Sequence, residues 1–189
     1  QYKRIIKKNG CIALWAQAPF SHVLALSNIK QYRYEWIIEK TKGTGHLNAK
    51  KMPMKTHENV MIFSDLDESP ETIQIFYGKL PTYNPQMTDG HEPVHSYTKH
   101  TTDGSCYGDT KIGISGGGST KRYPRDVLQF KWDTQKSSLH PCQKPVEASE
   151  YFIKTYTNKG DTVLDSTAGS MTTGVAAINT GRKCICIEN

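Results

Sequence analysis

The chain has 189 residues, enough for one domain with a sizeable core and hardly enough for two. With 36% hydrophobic, 10% aromatic and 22% charged residues, it is too apolar for a disordered chain and too polar for a membrane protein. A formal charge of +6, from 24 Lys plus Arg against 18 Asp plus Glu, fits a polyanionic partner such as nucleic acid without requiring one.

Tyr2, Ile5 and Ile6 have helical spacing and Asn9-Gly10 is a helix stop, yet no start signal precedes them. Gln1 is not an initiator Met, so the expectation is a piece of a longer fold, cut at both ends. Residues 11–15 then predict a short strand, 20–29 a helix, and 34–39 and 60–63 two further strands. From about residue 65 to 137 the chain is rich in Gly, Thr, Pro, Tyr and His and includes Gly116-Gly117-Gly118. Only 127–130 forms an apolar run there. Insertions of that length are usually functional.

The last 50 residues are the most legible. His140-Pro-Cys-Gln-Lys-Pro145 leads into a helix with Pro145 at or near its first position. Val146, Ser149, Phe152, Ile153 and Tyr156 share one face of it, and Asn158-Lys-Gly160 ends it. Residues 162–164 predict a strand, 165–170 a tight turn, 171–180 a helix stopped by Gly181, and 183–188 another strand. This is a βαβ unit, which implies a parallel sheet covered by helices.

The turn after the first strand of such a unit lies at the carboxyl edge of the sheet, where ligands bind. Its small residues, Asp165-Ser-Thr-Ala-Gly-Ser170, let a ligand approach the backbone and the positive end of the next helix. Glu188, at the end of the second strand, is spaced to accept hydrogen bonds from ribose hydroxyls. The arrangement suits an adenosine-containing cofactor.

Rival motifs fail on single residues. GxGxxG is absent, and Gly169 to Gly174 has P-loop spacing but Val175 where the lysine must stand. His57-Glu58 opens like a zinc-protease helix, but Met61 holds the second histidine position. His91, His95 and His100 lack partner ligands at metal-binding spacing, so no metal is expected. Five cysteines (Cys11, Cys106, Cys142, Cys184, Cys186) form no CxxC pair, which points to a reducing, cytoplasmic compartment. No run reaches the roughly 18 apolar residues of a spanning helix and no signal peptide is evident, so no membrane contact is expected.

His140-Pro-Cys-Gln-Lys-Pro-Val146, then Gly160-Asp-Thr-Val-Leu-Asp165 and Gly169-Ser-Met-Thr-Thr173, resemble the DNA amino-methyltransferases that modify adenine N6 or cytosine N4. The order is similar to the permuted branch, in which the cofactor loop follows the target-recognition region. Trp36-Ile-Ile-Glu-Lys40, Asn48-Ala-Lys-Lys-Met-Pro53, His57-Glu-Asn-Val60, Tyr123-Pro-Arg125 and the stretch 179–182 extend the likeness over most of the chain. It implies a Rossmann-like α/β sheet, mostly parallel, with helices on both faces. Residues 1–64 would be the catalytic half, 65–137 the target-recognition insertion, and 138–189 the cofactor-binding half.

The resemblance also implies roles. Asp165, Ser166, Thr167, Ala168, Gly169 and Ser170 would line S-adenosylmethionine, Thr172 and Thr173 would start the helix below it, and Glu188 would hold the ribose. His140, Gln143, Lys144 and Pro145 would sit by the methionine part. Taken singly, Asp165 reads equally as a helix cap and Lys144 as a solvated charge. Lys111, Lys121, Arg122 and Arg125, with Tyr107 and Tyr123, are the candidates for contacts to double-stranded DNA.

Four departures stand out. Cys142 and Met171 replace the usual Thr and Gly, and Ser166-Thr167 replaces Pro-Phe. The family's catalytic tetrapeptide, Asp-Pro-Pro-Tyr or Ser-Pro-Pro-Tyr, occurs nowhere in these 189 residues, so no catalytic residue is assigned. The expectation is a site-specific adenine-N6 methyltransferase chain lacking its catalytic loop, with an upstream segment or second chain supplying it. Cytosine-N4 specificity, an inactive DNA- or cofactor-binding relic and half of a split enzyme are the alternatives.

Overall fold

The computed structural model describes residues 2–7, 9–64, 82–98, 113, 115–132 and 143–188. They belong to two compact units, Gln1–Asn84 with Arg125–Asn189, and Pro85–Pro124. The second unit is narrower than the predicted 65–137 insertion. Val127–Phe130, assigned to that insertion by its place in the sequence, is instead a strand of the first unit's sheet.

In the first unit, β1 (Cys11–Ala16), α1 (Phe20–Ser27), β2 (Tyr32–Thr44) and β3 (Lys55–Ser64) follow one another along the chain. Two short strands, β4 (Tyr97–Thr98) and β5 (Ser115–Gly116), pair antiparallel in the second unit. The chain then returns to the first unit for β6 (Val127–Phe130), α2 (Val146–Tyr156), β7 (Thr162–Asp165), α3 (Thr172–Asn179) and β8 (Lys183–Cys186). The stretch of Tyr2, Ile5 and Ile6, expected as a short helix, shows a 3-10 turn at Tyr2–Arg4 among its described residues; so few residues without a cap do not sustain an α-helix.

The main sheet has the order β1-β3-β2-β6. β3 runs antiparallel to both neighbours while β6 runs parallel to β2, so the expected mostly parallel sheet is a mixed one. The reason lies in the chain path. β2 returns one strand position away from β1, and β3 folds back between them as a hairpin. β2 and β3 are longer than predicted because their outer ends, such as the Thr44–Lys55 pair, are polar and exposed and carry no hydrophobic period.

Alternation along β3 gives this sheet two buried faces. Val60 and Ile62 meet Trp36, Ile38 and Phe130 and the α2 residues Ala148, Phe152 and Tyr156. Met61 and Phe63 meet Ala16 on the other face, with Leu24 and Ala25 of α1 packed there. Helices therefore cover both faces.

α2 joins this sheet to the βαβ unit. Ala148, Phe152 and Tyr156, four residues apart, face the sheet, while Val146 and Ile153 pack with Ala176, Ala177, Val163 and Cys184. Trp36 Nε1 donates to Tyr156 Oη at 2.7 Å, and Tyr34 Oη lies 2.9 Å from the same oxygen. These bonds fix the carboxyl end of the helix. Arg182 also donates to Thr157 O at 2.8 Å and to Thr180 O at 2.5 Å, placing a cation where two helices end.

Candidate functional site

β7 and β8 pair in parallel from Thr162–Lys183 to Asp165–Cys186, with α3 as the crossover. Ile187 N–H donates to Asp165 O at 2.8 Å, and Ala168 N–H donates to Ile187 O at 3.0 Å. The turn thus runs beside the end of β8. Asp165 Oδ1 accepts the Thr167 N–H at 3.1 Å, the local bond that makes Asp a turn former. Gly169, at φ 48°, donates its N–H to Glu188 Oε2 at 2.6 Å. The acid that ends the unit is the latch of its turn.

Ala168 and Thr172 are buried below this turn, and Ser170 Oγ lies 2.9 Å from Thr172 Oγ1. Thr172 and Thr173 open α3, so its first N–H groups and the positive end of its dipole follow directly. Cys184 and Cys186 share one strand face with their sulfurs 3.2 Å apart. Burial, and then the neighbouring Cys186, push the Cys184 thiol up to about 12, which keeps it protonated at neutral pH.

Met171 is the one non-glycine residue with positive φ among the described residues, at φ 61° and ψ 22°. A side chain in that region costs about 1–2 kcal/mol. Met171→Gly should therefore raise stability by about 1 kcal/mol, after the extra freedom glycine gives the unfolded chain. A urea midpoint measures it; a fall in the midpoint would mean that packing of the half-exposed side chain outweighs the strain.

Tyr2 escaped the sequence reading. Its hydroxyl lies 2.7 Å from Ser166 Oγ, across 164 residues of chain, and brings the first turn of the molecule to this site. Glu58 escaped as well, since His57-Glu58 was weighed as a failed zinc motif and as part of the family likeness, with no role for the acid itself. It lies on β3, a strand, and its buried carboxylate binds Lys40 Nζ at 2.7 Å and Lys144 Nζ at 2.6 Å. Burial alone would raise its pKa, but the two ammonium groups outweigh it and hold it below the usual carboxylate range. Lys144, just before α2, is thus paired rather than solvated, and sits 5.1 Å from the centre of the Trp15 ring.

Of the residues expected around a cofactor, the structure brings together 165–170, Thr172, Thr173 and Glu188. Gln143, Lys144 and Pro145 stand at the start of α2, whose Val146 packs into the same βαβ unit. His140 lies outside the described residues, as do Tyr107 and Lys111. Lys121 and Tyr123 are exposed, Lys121 lying 3.7 Å from Asp89. Arg122 has a different occupation. Its guanidinium donates to the carbonyls of Ser119, Lys121 and Glu92, and its backbone pairs with Thr88. Arg125 is exposed and belongs to the first unit. No group of three potential metal ligands and no helix able to cross a membrane occurs among the described residues.

A profile described as DNA methylase (N6_N4_Mtase) matches residues 1–189. The DNA adenine methyltransferase YhdJ of Escherichia coli (strain K12) is 53% identical over 71 residues, 36% of this chain and 24% of that protein. The solved M1.HpyAVI-SAM complex superposes with a TM-score of 0.60 at 18% identity, over 100% of this chain and 72% of that one. The PvuII DNA methyltransferase (cytosine-N4-specific) gives 0.63 at 15% identity, over 96% of this chain and 60% of that one. At such identities the two structures establish the fold, a Rossmann-like α/β arrangement.

Proposed function

Because the chain belongs to the DNA methylase family, we propose that it carries the cofactor-binding and target-recognition parts of an S-adenosylmethionine-dependent DNA methyltransferase. The target is the N6 amine of an adenine flipped from the duplex. The observation that carries this reading is the latched turn, a run of small residues held by Glu188 at the carboxyl edge of a parallel pair. When bound, S-adenosylmethionine supplies an electrophilic methyl group on a sulfonium centre.

The residues fit that cofactor. A carboxylate has two acceptor oxygens, so Glu188 can hold the Gly169 N–H with Oε2 and accept a ribose hydroxyl with Oε1. Asp165 to Ser170 present backbone and small side chains, and Gln143 to Pro145 serve the methionine end. Reaching an amine inside a duplex requires extruding the base. Lys121, Tyr123 and Arg125 are exposed and suited to phosphate or base contacts, whereas Arg122 supports its own loop. The likeness to a DNA adenine methyltransferase supports adenine; the exocyclic amine of cytosine, N4, asks for the same handling. Asp-Pro-Pro-Tyr, absent here, would come from an upstream segment or a second chain. The strained Met171 favours a second reading, an inactive relic that binds DNA or cofactor.

Isothermal titration with S-adenosylmethionine tests the site. The folded chain should bind it, and Glu188→Ala should cost on the order of 1–3 kcal/mol, the usual loss for a charged hydrogen-bonding group. No heat from folded protein at millimolar cofactor would remove residues 165–170 from this role.

A further inference from the structure

We propose that Glu58 is a positioning residue, which fixes the cofactor-binding segment at the start of α2 by clamping Lys144 to the main sheet. The proposal rests on the S-adenosylmethionine reading of that segment. Each carboxylate oxygen takes one ammonium, Oε1 from Lys40 on β2 and Oε2 from Lys144. Both cations also sit against indoles, Lys40 at 5.3 Å from the centre of the Trp132 ring and Lys144 at 5.1 Å from that of Trp15. A buried acid between two lysines is a poor source of stability, because desolvation offsets most of the attraction. What it does supply is a fixed position.

That position is transmitted along the chain. Lys144 is followed by Pro145, buried, with φ −61° and ψ 132°, so no soft φ lies between the clamp and the helix. Val146 comes next and packs against the cluster of Ile153, Ala176 and Ala177, on which Val163 and Cys184 of the βαβ unit also pack. Moving the Lys144 ammonium therefore moves Gln143, Lys144 and the first turn of α2 relative to the turn at 165–170. The other end of the helix is held independently, by Tyr156 with Trp36 and Tyr34. Loss of the clamp should loosen one end only.

Glu58→Gln keeps the shape and removes the charge. Calorimetry should show S-adenosylmethionine binding weakened by about tenfold, with adenosine, which lacks the methionine part, changed by less than about twofold. Amide exchange should speed up over 143–149 and stay as in the wild type over 150–156. Lys144→Met approaches the same contact from the other side and leaves Glu58 paired to Lys40, so it carries the test if E58Q does not fold. In the Lys144→Met background, E58Q should add no further loss. Equal weakening of both ligands with faster exchange throughout would overturn the proposal, because that is general loosening. Wild-type binding that E58Q leaves unchanged overturns this proposal alone; a wild type that binds neither ligand overturns it together with the cofactor reading.

Discussion

Tritiated-methyl incorporation into mixed genomic DNA should stay at background when these 189 residues are the only protein present. Transfer requires the amine nitrogen in line with the sulfonium carbon, and such alignment is worth about 7–11 kcal/mol of barrier. No group among the described residues is assigned to hold that amine; Asp65-Leu-Asp67, the other Asp-initiated candidate in the sequence, lacks prolines and an aromatic ring and lies outside the described residues. Supplying an Asp-Pro-Pro-Tyr segment, fused before Gln1 or as a partner chain, should restore adenine methylation by several orders of magnitude.

The geometry favours the fusion. Tyr2 touches Ser166 of the turn, so residues joined ahead of it enter the molecule beside the proposed cofactor site. β1 and β7 each have one strand neighbour among the described residues, and Leu164, Ile185 and Ile187 of the βαβ unit are exposed. An added strand and helix would find backbone to pair with and apolar surface to cover. Clear incorporation by the chain alone would show that the catalytic group is elsewhere in it. Failure after restoration would favour the relic, with Met171 as the first suspect.

What could be read from sequence was local. β7, α3 and β8 stand out because Gly160 and Gly181 punctuate them and each repeats its own period within a few residues. The place of Glu188 beside the turn was legible for the same reason, since a βαβ unit fixes the spacing between its turn and its second strand end, but its bond to the Gly169 N–H was not. What escaped depends on partners far along the chain. Glu58 meets Lys144 86 residues away, and Tyr2 meets Ser166 164 residues away. β6 looked like an isolated apolar run until its pairing with β2, and no hydrophobic period says that β3 returns between β1 and β2. Arg122 was singled out by charge alone, and sequence does not show that its guanidinium donates to the carbonyls of Ser119, Lys121 and the more distant Glu92.

Phe152→Ala should destabilise the chain by about 3–5 kcal/mol, the range for removing a large aromatic ring from a packed core. Total stability of a domain is about 5–15 kcal/mol, so the variant would lie near the edge of folding. The ring is buried and meets three others edge-on, with centroids 6.3 Å from Trp15, 5.9 Å from Trp36 and 5.7 Å from Tyr151. Edge-to-face pairs add to the area term, so Phe152→Leu, which keeps much of the volume, should still lose about 1 kcal/mol. The larger consequence concerns the site. α2 is the element that packs on both the main sheet and the βαβ unit, through Phe152 on one side and Ile153 on the other. Loosening its sheet face should therefore speed amide exchange at 165–170, well away from the substituted ring, along with exchange in the helix itself. Urea unfolding followed by tryptophan fluorescence gives the stability loss, and exchange gives its reach. A loss below about 1 kcal/mol for Phe152→Ala, or exchange changes confined to α2, would show that the sheet and the cofactor unit are held together by something other than this helix.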